Sequence, residues 1–89
     1  MIKAHIYFSG TVQGVGFRYI TQRYAGKIGL NGWVKNLVDG RVEMMVDGDK
    51  GKIERLIESL NKHFGRYIQN CDVSYSQDIG GFTNFQIEH

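Results

Sequence analysis

Proline is absent from the 89 residues, so every turn in the chain must rest on glycine, asparagine or aspartate instead of a fixed φ. There is one cysteine, Cys71, which excludes an internal disulfide framework. Without paired Cys or His spacings, it also excludes a zinc site. No apolar run approaches the roughly 20 residues needed to cross a bilayer. The start, "MIKAHIYF", sets Lys3 and His5 among its apolar residues, unlike a signal peptide. The expectation is a cytoplasmic protein with no membrane association. A large excess of charge is also missing. At +2 the net charge mildly favours anionic ligands without implying nucleic acid. The 42% hydrophobic content beside 22% charged residues argues for a folded chain, read as one domain over residues 1–89.

Within those bounds the apolar residues are periodic. Ile2, Ala4, Ile6 and Phe8 alternate with Lys3, His5 and Tyr7, the pattern of a half-buried strand. From residue 17 the period lengthens. Phe17, Ile20, Tyr24 and Ile28 predict a helical stripe, with Thr21 and Ala25 at its edge and Gly29 as the stop. In "GWVKNLVDGRVEMMVDG", residues 32–48, two β-rich runs flank Asp39-Gly40, a hairpin signal compatible with a loop of two residues or of four. Asp49 is placed to cap a second helix, whose stripe is Ile53, Leu56, Ile57, Leu60 and Phe64. "GRYIQN" predicts a turn-rich connection. Cys71, Val73 and Tyr75 then alternate as a strand, with Cys71 buried. "IGGF" predicts a turn before a last short strand holding Phe85 and Ile87. The order β-α-β-β-α-β, with the final strand split or paired, predicts an α+β two-layer sandwich. Both helices lie on one face of an antiparallel sheet.

The stretch "SGTVQGVGFR", residues 9–18, joins the first strand to the first helix. As pure structure, Gly10, Gly14 and Gly16 could simply turn the chain, with Arg18 a surface cation. A glycine-rich turn can also aim consecutive amides inward as a nest for an oxyanion. Here the nest would stand at a helix N-terminus, where free N–H groups and the macrodipole favour negative charge. Arg18 adds a planar fork able to hold two phosphate oxygens. The Gly-Lys-Ser/Thr ending of a nucleotide P-loop is lacking.

The run Gly10-Thr11-Val12-Gln13-Gly14-Val15-Gly16-Phe17-Arg18 resembles the first signature of the acylphosphatase family. The 32–48 stretch, including Gly32, Asn36, Gly40, Val42 and Gly48, resembles its second. "TNFQI" is similar to the family's closing strand. Leu37 departs from the pattern, since many relatives carry a small polar residue there, and residues 65–81 match nothing specific. The resemblance implies the family's ferredoxin-like fold and metal-free, cofactor-free hydrolysis of the carboxyl–phosphate bond in small acyl phosphates. It further implies that the backbone of residues 10–16 cradles the phosphate, that Arg18 binds and stabilises it, and that Asn36 positions the attacking water. Inorganic phosphate and sulfate are the expected competing anions, and a monomer the expected state.

That chemistry suits these residues. The leaving group is a carboxylate, whose conjugate acid has a pKa of about 4, so no general acid is needed. Water attacking a phosphoryl group needs positioning more than deprotonation, because the transition state is loose. Two alternatives stay open: a carbamoyl-phosphate-handling domain, and a non-catalytic anion- or RNA-binding module on the same fold. The second is weakened because Arg41, Glu43 and Met45 on the third strand offer no aromatic pair for base stacking. Met44 is expected in the core with Met45 opposite, Trp33 in packing or partly exposed on the hairpin, and His5 facing solvent. His63 and His89 have no metal-ligand partner at useful spacing.

Overall fold

The computed structural model describes residues 1–77 and 81–89, so the first half of the turn expected at 79–82 lies outside the described residues. Strand β1 (Ile2–Gly10) follows its alternation: Ala4, Ile6 and Phe8 are fully buried, while Lys3, His5 and Tyr7 are half-buried on the opposite face. Helix α1 (Phe17–Ile28) ends at Gly29, whose left-handed backbone donates its N–H to Ala25. Its stripe is rotated from the expected one. Phe17, Thr21 and Ala25 form the buried centre, and Ile20, Tyr24 and Ile28 flank it half-buried. Thr21 can occupy the core because its hydroxyl donates to the Phe17 carbonyl at 2.7 Å.

Strands β2 (Asn31–Asn36) and β3 (Val42–Gly48) form the central hairpin. Its loop has neither two nor four residues. The Leu37 N–H donates to Arg41 O at 2.8 Å and encloses three, Val38, Asp39 and Gly40. Gly40 takes φ +95°, which closes this turn. Asp39 secures it by accepting from the Arg41 amide at 3.1 Å and from its Nε at 2.9 Å. Helix α2 (Lys50–Phe64) buries Ile53, Leu56, Leu60 and Phe64, with Ile57 half-buried. Asp49 stands at its N-cap, but the carboxylate makes no capping bond.

A 3-10 turn (Gly65–Tyr67) leads into β4 (Ile68–Ser76), which begins within the stretch expected as a connection, and β5 (Phe85–Glu88) closes the chain. The sheet order is β4-β1-β3-β2-β5. All pairings are antiparallel except β5 with β2, which is parallel. Because β1 and β2 each run antiparallel to β3, they start at the same end of the sheet. β4 ends beside the start of β1, so β5 sets out from that end too, alongside β2. Cys71, expected in the core, is only half-buried, because β4 is an edge strand.

Both helices cover one face, and the core lies between them and the sheet. Phe17, the first residue of α1, stacks between Phe8 and Phe64, with centroids 4.9 and 4.6 Å away. Each such pair contributes on the order of 1 kcal/mol beyond burial. This triplet pins the N-terminus of α1 to the sheet and fixes where the preceding loop must sit. On the open face His5 is not simply solvated: its Nε2 lies 2.6 Å from Glu43 Oε2, which also accepts from the Tyr7 hydroxyl at 3.1 Å. Among the described residues no helix is long and apolar enough to cross a membrane.

Candidate active site

Four segments meet at one end of the sheet and enclose a cleft of about 300 Å³. The loop after β1 supplies Val12, Gly14 and Gly16, α1 supplies Arg18, β2 supplies Asn36 and the chain end supplies His89. Gly14 and Gly16 have no side chains, so it is their backbone that faces the cleft. Both take φ +79°, a conformation costly for any other residue.

The amides here are free. None of those from Val12 to Gly16 donates to another backbone carbonyl among the described residues, and the first helical bond comes from Ile20 to Gly16 O at 3.0 Å. Helix α1 has no side-chain cap and no acidic residue in its first turn. Its N-terminal partial charge is therefore not met by a side chain of its own cap or first turn. Two residues of the run serve the fold. The Thr11 amide donates to Tyr67 O at 2.9 Å, and Gly10 ends β1 against the backbone of Tyr67 and Gln69. The run of free amides thus starts at Val12. The Val12 side chain is core, 1% exposed, which anchors the loop from beneath.

Arg18, in the first turn of α1, is half-buried at the rim. Its Nη1 reaches Glu88 O and His89 Nδ1, both at 3.4 Å, long and weak contacts. Among the described residues no side-chain carboxylate pairs with it, so none of them neutralises its charge.

Asn36 is placed by strand alternation. Gly32, Val34 and Asn36 share the inner face of β2, and Asn36 is the last of them, where core gives way to cleft. Its Oδ1 is buried and has no hydrogen-bond partner. A buried, unpaired amide oxygen costs roughly 1–3 kcal/mol, so such a group calls for a water or ligand. His89, assigned no role by sequence, lines the cleft because β5 ends beside β2; terminal position carries no periodic signal that could have indicated this. The Gln13 side chain leaves the cleft and bonds the hairpin instead. Tyr7, the outward aromatic of β1, is covered by the Arg41 guanidinium 4.6 Å from its ring, which denies it to a stacking base.

The acylphosphatase family model matches residues 4–87. An acylphosphatase of Roseiflexus sp. (strain RS-1) is 44% identical over 90 residues, covering 98% of this chain and 95% of the relative. One from Syntrophobacter fumaroxidans is 48% identical over 86 residues, covering 96% and 89%. The crystal structure of acylphosphatase from Bacillus subtilis superposes with a TM-score of 0.93 at 36% identity, over 100% of both chains. With this breadth of match to the free-standing relatives, the chain belongs to the acylphosphatase family, enzymes that hydrolyse acyl phosphates.

Proposed function

We propose that the cleft between the 12–16 loop, Arg18 and Asn36 is where the acyl phosphate is bound and cleaved. The observation that carries this reading is Asn36, which lines the same cleft as an unneutralised arginine and a run of free amides and whose buried Oδ1 lacks a hydrogen-bond partner. The phosphate oxygens accept from the loop amides and from the Arg18 fork, so negative charge is matched by fixed donors before reaction begins. Asn36 Oδ1 accepts a hydrogen bond from a water and so turns a lone pair of that water toward phosphorus. As the P–O bond to the water forms, the bond to the acyl oxygen breaks, and its electron pair leaves with the carboxylate. A phosphate oxygen takes a proton from the attacking water, and the products are a carboxylate and inorganic phosphate. No side chain need change its charge.

The same reading makes the chain a single domain, 1–89, acting as a monomeric, cytoplasmic enzyme with no nucleic-acid partner. It is supported by the lone, unpaired Cys71, by the modest net charge and by the covered Tyr7 ring. Carbamoyl phosphate remains the alternative small substrate. The chain superposes on a crystal structure of T. kodakarensis HypF with a TM-score of 0.84 at 34% identity, but spans only 12% of that much longer chain. Parallel assays with a synthetic acyl phosphate and with carbamoyl phosphate distinguish the two substrates. Asn36→Ala tests the mechanism: it is expected to bind inorganic phosphate as the wild type does and to lose about a hundredfold in kcat. An unchanged kcat would refute the role given to Asn36.

A further inference from the structure

Gln13 stands inside the phosphate loop, yet its side chain does not line the cleft. Its Nε2 donates to Leu37 O at 2.7 Å and to Arg41 O at 2.9 Å. Those two carbonyls belong to the closing rung of the β2–β3 hairpin, where Leu37 N–H also donates to Arg41 O. Leu37 directly follows Asn36. Both N–H groups of one amide are therefore spent on the segment carrying Asn36, across 24 and 28 residues of sequence.

The position of this contact gives it meaning. Backbone pairing of β3 with its neighbours stops at Phe8↔Val42 on one side and Asn36↔Val42 on the other. Beyond that rung, the loop and the hairpin tip have left the sheet. Among the described residues, the two Gln13 bonds are the hydrogen bonds that join residues 11–16 to residues 37–41. Leu37 has no polar side chain to make such a link. Removing the Gln13 donors orphans neither carbonyl, because Leu37 O keeps the Gly40 amide at 3.2 Å and Arg41 O keeps the Leu37 amide.

We propose that Gln13 is a positioning residue, a side-chain latch that holds Asn36, and the water it orients, in register with the phosphate cradle. The proposal rests on the water-positioning role given to Asn36 above. In-line attack depends on the distance and angle between water and phosphorus, and the cradle and Asn36 sit on separate elements. A displacement on the order of 1 Å between them is enough to cost about a hundredfold in rate. Phosphate binding depends on the cradle and Arg18 alone, so it is not affected.

Two variants test the latch. Gln13→Met keeps length and removes both donors. Gln13→Glu keeps shape, sets an ionised oxygen against two carbonyl oxygens, and regains one O–H donor when protonated. With a synthetic acyl phosphate as substrate, Gln13→Met is expected to lose about tenfold or more in kcat, while the inhibition constant of inorganic phosphate stays within about twofold. In an Asn36→Ala background the same substitution is expected to cost less than about twofold, because the latch acts through Asn36. Gln13→Glu is expected to recover kcat relative to wild type as pH falls through the carboxyl range, a range the facing carbonyls push upward. Additive losses in the double variant, a parallel loss of phosphate affinity, or failure of Gln13→Met to fold would overturn the latch alone. An unchanged kcat in Asn36→Ala by itself would overturn the reading of Asn36 and the latch with it.

Discussion

Gly10 and Tyr67 meet backbone to backbone: a Cβ on Gly10 would overlap the Tyr67 carbonyl oxygen, the same oxygen that accepts from the Thr11 amide. The contact falls where the β1–β4 register shifts, and Gly10 holds φ +123° there. Gly14 is different in kind. A Cβ there meets no atom within 4 Å, and only its φ of +79° restricts it. Gly10→Ala is therefore expected to lose about 3 kcal/mol or more of stability, from overlap and backbone strain together. Gly14→Val is expected to lose about 1–2 kcal/mol and to weaken phosphate binding, because the valine drives the loop away from its left-handed turn. Urea midpoints and phosphate titrations on both variants check this. Wild-type phosphate affinity in Gly14→Val would make the loop a plain connector.

Arg18 contacts the phosphate before and during reaction in the proposed mechanism, unlike Asn36. Arg18→Gln is expected to lose anion affinity and turnover together and to remain folded, since the side chain makes only two weak contacts at 3.4 Å. Arg18→Lys is expected to recover only part of the loss, because a point charge cannot reproduce a two-oxygen fork. Full activity in Arg18→Lys would reduce the role of the fork to charge alone. Titration calorimetry with phosphate beside kcat measurements separates these outcomes.

Phosphate and sulfate match the half of the substrate that the cradle grips. Both are expected to raise KM without lowering kcat, and initial-rate analysis at several anion concentrations is the check. Non-competitive inhibition would put the anion elsewhere.

Charge neutralisation falls to fixed donors in this mechanism, so turnover is expected to survive exhaustive treatment with EDTA. The measurement is kcat before and after chelation, then after magnesium is restored. Loss on chelation with recovery on magnesium would overturn the mechanism.

Tyr7 on the open face and Cys71 at the edge of the core predict how stability responds to alkali. Desolvation, and then the hydrogen bond to Glu43, holds the Tyr7 phenol above its ordinary value of 10.0. Burial, with Asp72 nearby, holds the Cys71 thiol above 9.0. In each case the folded state keeps a proton that the unfolded chain has released. The stabilisation is therefore complete below the unfolded value and declines as pH rises through the folded one. Unfolding free energy is expected to begin falling near pH 9 and to steepen beyond pH 10. Cys71→Ala is expected to remove the first part of the decline and Tyr7→Phe to reduce the second, to which Tyr75, also held above 10.0 by burial, contributes. Urea titrations from pH 7 to about pH 11 check the sign, and an unchanged slope in both variants would show that other groups govern it.

Much of the architecture is local and therefore readable along the chain. The alternation of Ala4, Ile6 and Phe8 places β1 and its buried face, because side chains on a strand reverse every residue. Gly29 stops α1 where its free φ is needed, and the Ile53–Phe64 stripe sets the buried face of α2. Elsewhere local signals were outweighed. Thr21 and Ala25 displaced larger residues from the centre of the α1 stripe, since close approach of helix and sheet favours small side chains. The hairpin took a three-residue loop that Asp39-Gly40 alone does not specify.

The catalytic candidates divide along the same line. Local pattern suffices for a glycine-rich turn before α1 and for an arginine in its first turn, because each depends on backbone within a few residues, whereas Asn36 is singled out by the resemblance of residues 32–48 to a family signature. Their meeting does not follow from any of those segments. It arises because β1 and β2 flank β3 in one sheet, which brings the end of β2 level with the loop after β1. His89 reaches the cleft only through the parallel pairing of β5 with β2, and Gln13 finds Leu37 and Arg41 only once that sheet exists. Contacts between residues far apart in sequence are set by packing and strand order, and no periodicity within either segment encodes them.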